Sequence, residues 1–159
     1  MNPVEIQKIL QEQSMHNEAP PKQMLQVIGF QIEKEYFAIP ILDVQEIIKP
    51  LPYTHIPFVP KYILGIFHLR GNILPLIDLR QKLGFGYKAV DEETHILVIH
   101  YQDQKLGIMV DKLTESILLD QEEIDTHIVQ ENMHLYGVGK QEDKLIALLN
   151  TQALFKRDF

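Results

Sequence analysis

Seven histidines and 22 carboxylates give this chain its widest chemical repertoire, so metal binding and acid–base catalysis are the first chemistries to weigh. A zinc site built from histidine needs ligands at close, paired spacing. His95 and His100 flank a strand-like run, and their odd separation sends them to opposite faces. His127 and His134 are separated by a stretch with no helical pattern, while His55 and His68 stand alone. These histidines read as structural or surface residues, and no metal is expected. Among carboxylates, Asp43 with Glu46 and Asp78 with Asp111 are the pairs to consider. Asp78 and Asp111 each close an apolar run, Leu76-Ile77-Asp78 and Met109-Val110-Asp111. A carboxylate there usually accepts backbone N–H groups at a turn or short helix start. The sequence has no Gly-x-Ser-x-Gly, phosphate loop or dinucleotide fingerprint, and Gly84-Phe85-Gly86 reads as a turn. With no cysteine, thiolate nucleophiles, thiolate metal sites and disulfides are excluded. Neither catalysis nor a cofactor is expected.

The remaining cluster is Gly65-Ile66-Phe67-His68-Leu69-Arg70-Gly71-Asn72-Ile73-Leu74-Pro75-Leu76-Ile77-Asp78-Leu79-Arg80. Two β-rich runs flank a short connection, expected at Gly71-Asn72 as a type II′ turn, with Arg70 at the hairpin tip. That register sets Pro75 opposite His68, so Pro75 must lie on an edge or a bulge must shift the pairing. Arg70 is either solvated or braced by a carboxylate, or its planar guanidinium is presented beside apolar side chains as at interface hot spots. The residue types alone leave both readings open.

The elements around this hairpin are short. Residues 25–32 alternate as a strand with Ile28, Phe30 and Ile32 on one face, and 36–39 return after a polar turn. Residues 41–48 fit a helical turn or a strand, and Pro50, Pro52, Pro57 and Pro60 then keep a loop extended. Further strands are expected at 94–101, 105–110, 114–119, 135–140 and 144–149, with a short helical turn at 151–156. About ten strands with few helices indicate an antiparallel barrel or sandwich. No internal repeat stands out. Residues 1–21 are set apart as a tail or a short docking helix after Pro3, closed by Pro20-Pro21, and 22–156 form one domain.

The bulk numbers agree with a folded domain: 45% hydrophobic, 23% charged and a net charge of -7. That charge opposes binding to phosphate backbones or anionic lipid, so nucleic acid is not expected as a partner. Apolar runs are too short to span a bilayer, the first residues lack a secretory pattern, and a cytoplasmic location with no membrane insertion follows as the expectation.

The hairpin is similar to the segment that marks CheW domains, in which Asn-Leu-Arg-Gly precedes a Leu-Pro-apolar-apolar-Asp-Leu-Arg run. Val44-Gln45-Glu46-Ile47-Ile48, Ile56-Pro57, Tyr62-Ile63-Leu64-Gly65 and Leu106-Gly107-Ile108-Met109-Val110-Asp111-Lys112-Leu113 resemble further family motifs in the same order. The likeness runs from about Met24 to Phe155 and departs at His68, where the family carries Asn. It implies an all-β fold of two five-stranded SH3-like barrels packed around a shared apolar core, with a few short helices. It also implies a non-catalytic adaptor joining the cytoplasmic tip of a methyl-accepting chemoreceptor to the regulatory domain of a CheA-type histidine kinase. A coupling role in a pilus-type or other chemosensory pathway is the alternative, and a small ligand-binding double barrel is the rival of a different class. The resemblance puts Val44, Glu46, Ile47 and Arg70 on the receptor side. It leads to the expectation of a salt bridge between Arg70 and Glu46.

Overall fold

In the computed structural model the described residues are 2–15, 23–127 and 134–156. Helix α1 (Pro3–Met15) is followed by β1 (Met24–Ile32), β2 (Glu35–Pro40), β3 (Val44–Ile48), β4 (Ile63–Leu69), β5 (Asn72–Asp78) and the one-turn helix α2 (Leu79–Lys82). Then come β6 (His95–Tyr101), β7 (Gln104–Val110), β8 (Lys112–Asp120), β9 (Leu135–Gln141), β10 (Lys144–Leu149) and α3 (Thr151–Leu154). Residues 41–48 contain both of the expected conformations: a single 3-10 turn, Ile41–Asp43, runs into β3.

The strands form two five-stranded sheets, ordered β8-β1-β2-β10-β9 and β3-β6-β7-β5-β4. Period-two alternation explains how they pack. On β1, Ile28, Phe30 and Ile32 face a core shared by both sheets, while Val27 joins Ile117, Leu119 and Ile146 inside the first sheet's own core. On β6, Leu97 and Ile99 enter the shared core, while Ile96 and Val98 meet Phe67, Leu76 and Met109 inside the second sheet. Strands buried on both faces read as continuous apolar runs, as Ile96-Leu97-Val98-Ile99 does. Each sheet thus curls around its own interior, and the two share a third apolar layer, the two-barrel architecture of the SH3-like type.

The two sheets are built alike, although no sequence repeat announces it. In one, β5 runs parallel to β7, Asp78 caps α2, and Thr54 bridges to Ile66 on the far edge strand. In the other, β10 runs parallel to β2, Asn150 caps α3, and Asp125 bridges to Val138.

The hairpin register corrects the sequence reading. The two-residue connection is Arg70-Gly71, with φ of 51° and 85°, and Asn72 is the first residue of β5, paired with Leu69. Positive φ at both central positions marks a type I′ turn, whose twist suits a two-residue hairpin. Pro75 therefore faces Ile66, not His68. The Ile66 N–H and C=O are both taken by Thr54, at 2.9 and 2.8 Å, so Pro75 faces a position that asks for no ladder donor. Gly65 makes this approach feasible, since a Cβ there would lie 2.0 Å from the Thr54 carbonyl oxygen.

At the seam between the sheets sits Arg80, its side chain only 7% exposed. Its guanidinium donates to Asp111 at the β7–β8 junction and to Glu33 in the β1–β2 turn, and its Nε donates to the Gly86 carbonyl at 3.1 Å. Asp111 also accepts the Glu33 backbone N–H at 2.9 Å. A buried guanidinium with two carboxylates on different elements ties α2 to the opposite sheet. Arg80→Ala leaves Asp111 buried without a counter-charge and is expected to cost about 3 kcal/mol of unfolding free energy, read from the urea midpoint. Glu33→Gln, at the exposed end of the network, is expected to shift the midpoint far less.

Candidate functional site

Strand β3 is one edge of its sheet and β4 is the other. Val44 pairs with Ile99 and Glu46 with Val98, so the ladder slips by one residue at Gln45. Such a bulge breaks the two-residue alternation. As a result Val44 and Ile47, an odd number of residues apart, both pack on the shared core, while Ile48 packs on the interior of its own sheet. Glu46 is then available to the hairpin tip. Arg70 reaches it with two bonds, Nη2 to Oε1 at 2.5 Å and Nε to Oε2 at 3.2 Å.

This fork-to-fork geometry fixes the plane of the guanidinium. Arg70 stays 73% exposed while Glu46 is largely covered. The hydrogen bond from Arg70 lowers the Glu46 pKa below its ordinary 4.5, against an opposing effect of burial. Arg70 is held correspondingly more basic by the same carboxylate. The pair links the outer strand β3 to the turn that follows the other outer strand.

The four residues assigned by resemblance are thus adjacent, but they are not equally accessible. Arg70 is exposed, Glu46 and Ile47 are partly buried, and Val44 is buried. Asn72, expected in the turn, is instead an exposed strand residue beside it, and Gly71 is the second turn residue.

The candidate catalytic groups do not converge. Asp78 caps α2, accepting the Arg80 N–H at 3.1 Å, and burial raises its pKa. Asp111 pairs with Arg80, and His68 lies exposed on β4. His100 donates to the Leu42 carbonyl at 2.9 Å, and His95 hydrogen-bonds the Glu93 carbonyl at 2.8 Å. Among the described residues no group of three His, Cys, Asp or Glu side chains is arranged to hold a metal. A groove of about 490 Å³ is lined by apolar residues including Ile56, Ile66, Pro75, Leu106 and Phe155, with Lys82, Gln104, Lys105 and Lys156 among them, and by none of His68, Asp78 or Asp111. The ligand-binding reading requires His68, Asp78 and Asp111 to converge on one cavity, and they do not line this groove.

Two contributors were not identified from sequence. For Arg80 the signal is an arginine two residues after a helix-capping aspartate. Gln45 gave no signal, because a bulge is set by pairing with β6 and not by residue type.

Comparison with known proteins places these features in context. The family model described as CheW-like domain matches residues 26–159. The chemotaxis protein CheW of Helicobacter pylori is 44% identical over 141 residues, covering 87% of this chain and 86% of that protein. The chemotaxis protein CheW of Bacillus subtilis is 30% identical over 136 residues, covering 83% and 87%. Among solved structures, the scaffolding protein TtCheW from Thermoanaerobacter tengcongensis superposes with a TM-score of 0.79 at 30% identity, covering 86% of this chain and 95% of that one.

Because Glu46 carries a lowered pKa, its contact with Arg70 is complete above 4.5 and fades as pH falls through the lowered value. An NMR titration of the Glu46 side-chain carboxyl is expected to give a midpoint below 4.5, and Arg70→Ala should move it upward. A midpoint that does not respond to Arg70→Ala would remove the ion pair from the solution structure.

Proposed function

The chain belongs to the CheW-like domain family, and from that membership we propose that it is a non-catalytic adaptor coupling a methyl-accepting chemoreceptor to a CheA-type histidine kinase in the cytoplasm. The observation that carries this reading is the exposed Arg70 guanidinium. It is held by Glu46 next to Ile47 and Val44, at the four positions that the family pattern puts on the receptor side. Two further features support it. No helix of the described residues is long and apolar enough to cross a membrane. The net charge of -7 disfavours nucleic acid and anionic lipid as partners.

Physically, an adaptor of this kind needs a surface that loses little entropy on docking. An exposed ion pair contributes little to folding stability because solvent and salt screen it. Its contribution to binding differs: Glu46 holds the guanidinium in one orientation before the partner arrives, so fewer rotamers are frozen in the complex. The receptor then meets a charged fork beside aliphatic surface, a mixture that suits an interface centre. Bridging requires two separate faces, each of moderate affinity, so that many weak contacts in one assembly become durable while each stays reversible.

The direct test is kinase activity in the presence of receptor, with and without this protein. Restored coupling with one kinase from the same cell is the expected result, and failure with every candidate kinase would contradict the adaptor reading. Pull-down against each kinase separates a flagellar from a pilus-type output. Arg70→Glu is expected to weaken receptor binding at least about tenfold, since it inverts a charge at an interface centre, and to leave the melting curve nearly unchanged. A melting curve that collapses together with binding would assign Arg70 to the fold instead.

A further inference from the structure

Helix α1 lies before the residues that the family model matches, yet it is seated against β3. Its start is well defined: the Asn2 side chain accepts the Glu5 N–H at 2.8 Å, and Pro3 occupies the first turn. Ile6 is 4% exposed and belongs to the shared core. The crevice beneath it is lined by Ile28 of β1 and by Val44, Gln45, Glu46 and Ile47 of β3, so the socket straddles the seam between the sheets. Val44 is only 9% exposed with the helix in place. The aliphatic part of the receptor-side set, Val44 and Ile47, therefore lies against this chain's own Ile6, while Arg70 stays exposed.

The hold is slight. Among the described side chains of α1 only Ile6 is buried, Val4 is 76% exposed, and Glu5, Gln7 and Lys8 face solvent. A helix of 13 residues is marginal in water without tertiary support. Among the described side chains, one fully inserted residue, with Pro3 and Ile9 partly covered, makes this hold.

We propose that the socket formed by Ile28, Val44 and Ile47 takes an aliphatic side chain presented on a helix, that Ile6 of α1 fills it in the free chain, and that the receptor displaces α1 when it docks. The inference rests on the receptor reading above. The chemistry of the incoming group follows from the present occupant: the socket walls are aliphatic, the fitted group is an isoleucine, and a helix delivers it. The Glu46–Arg70 pair stands at the rim as the polar contact. Since only molecules with an open socket can bind, the apparent affinity is reduced by the fraction that is open. Helix α1 thereby sets the threshold of coupling.

The test uses the full chain and a purified receptor cytoplasmic fragment. Ile6→Asp undocks the helix and is expected to tighten binding by about threefold to tenfold, as removal of a competing occupant requires. The chain contains no cysteine, so Gln7→Cys with Gln45→Cys introduces a single disulfide that pins α1 on β3. Oxidation of that variant should weaken binding at least about tenfold, with full recovery on reduction. The reduced form is the internal control for folding. Binding that is indifferent to both the lock and Ile6→Asp overturns the inference and leaves the receptor reading standing. No binding by any variant, the undocked one included, overturns the receptor reading and this inference with it.

Discussion

The second sheet is open at β3 and β4, and the candidate interface depends on how those two edges are closed. An unpaired edge is a template for unwanted strand addition, and proteins cover it or place charges on it. Here the proline-rich connection after β3 turns back so that Thr54 pairs with Ile66 on β4, an approach that only a residue without a side chain at position 65 permits. The tight Arg70-Gly71 turn then sends an arginine from the end of β4 to Glu46 on β3. Closure of the barrel and presentation of the guanidinium are one geometric event. The same constraint that removes a free edge also builds the proposed docking face.

Two kinds of charge pairing serve different ends in this chain. Arg80 is buried at the seam, where desolvation makes an unpaired partner costly, so it fixes the relation between the sheets. Arg70 is exposed, where the same chemistry adds little to stability but restricts orientation. The first makes the platform rigid, and the second places a donor fork on it. Ile6 belongs to neither group: it extends the shared core outward over β3, joining the stability of that edge to its accessibility.

Much of this was legible in the sequence because alternation is a strict code. Ile28, Phe30 and Ile32 on one face of β1, and the apolar run at Ile96–Ile99, state which layers the strands must separate. Asp78 was legible as a helix-capping carboxylate from its place at a strand end, whereas the ion pair of Asp111 with Arg80 was not. The hairpin was legible as a hairpin, but its turn was displaced by one residue. Glycine suits the first position of a type II′ turn, whereas the chain uses a type I′ turn in which Arg70 itself adopts positive φ. The likeness between the two sheets left no trace in the sequence because it resides in backbone path and pairing. The Gln45 bulge and the Ile6 contact were hidden for a related reason: each is decided by a strand distant in the chain.

The central claim is that β3 and the Arg70-Gly71 turn form the surface that a chemoreceptor grips. Amide chemical-shift mapping of the labelled chain, titrated with a receptor cytoplasmic fragment, tests it most directly. The account predicts perturbations concentrated at residues 44–48 and 69–72, with those of α1 shifting in parallel. Perturbations confined to β9 and β10, with β3 and the turn unchanged, would contradict it.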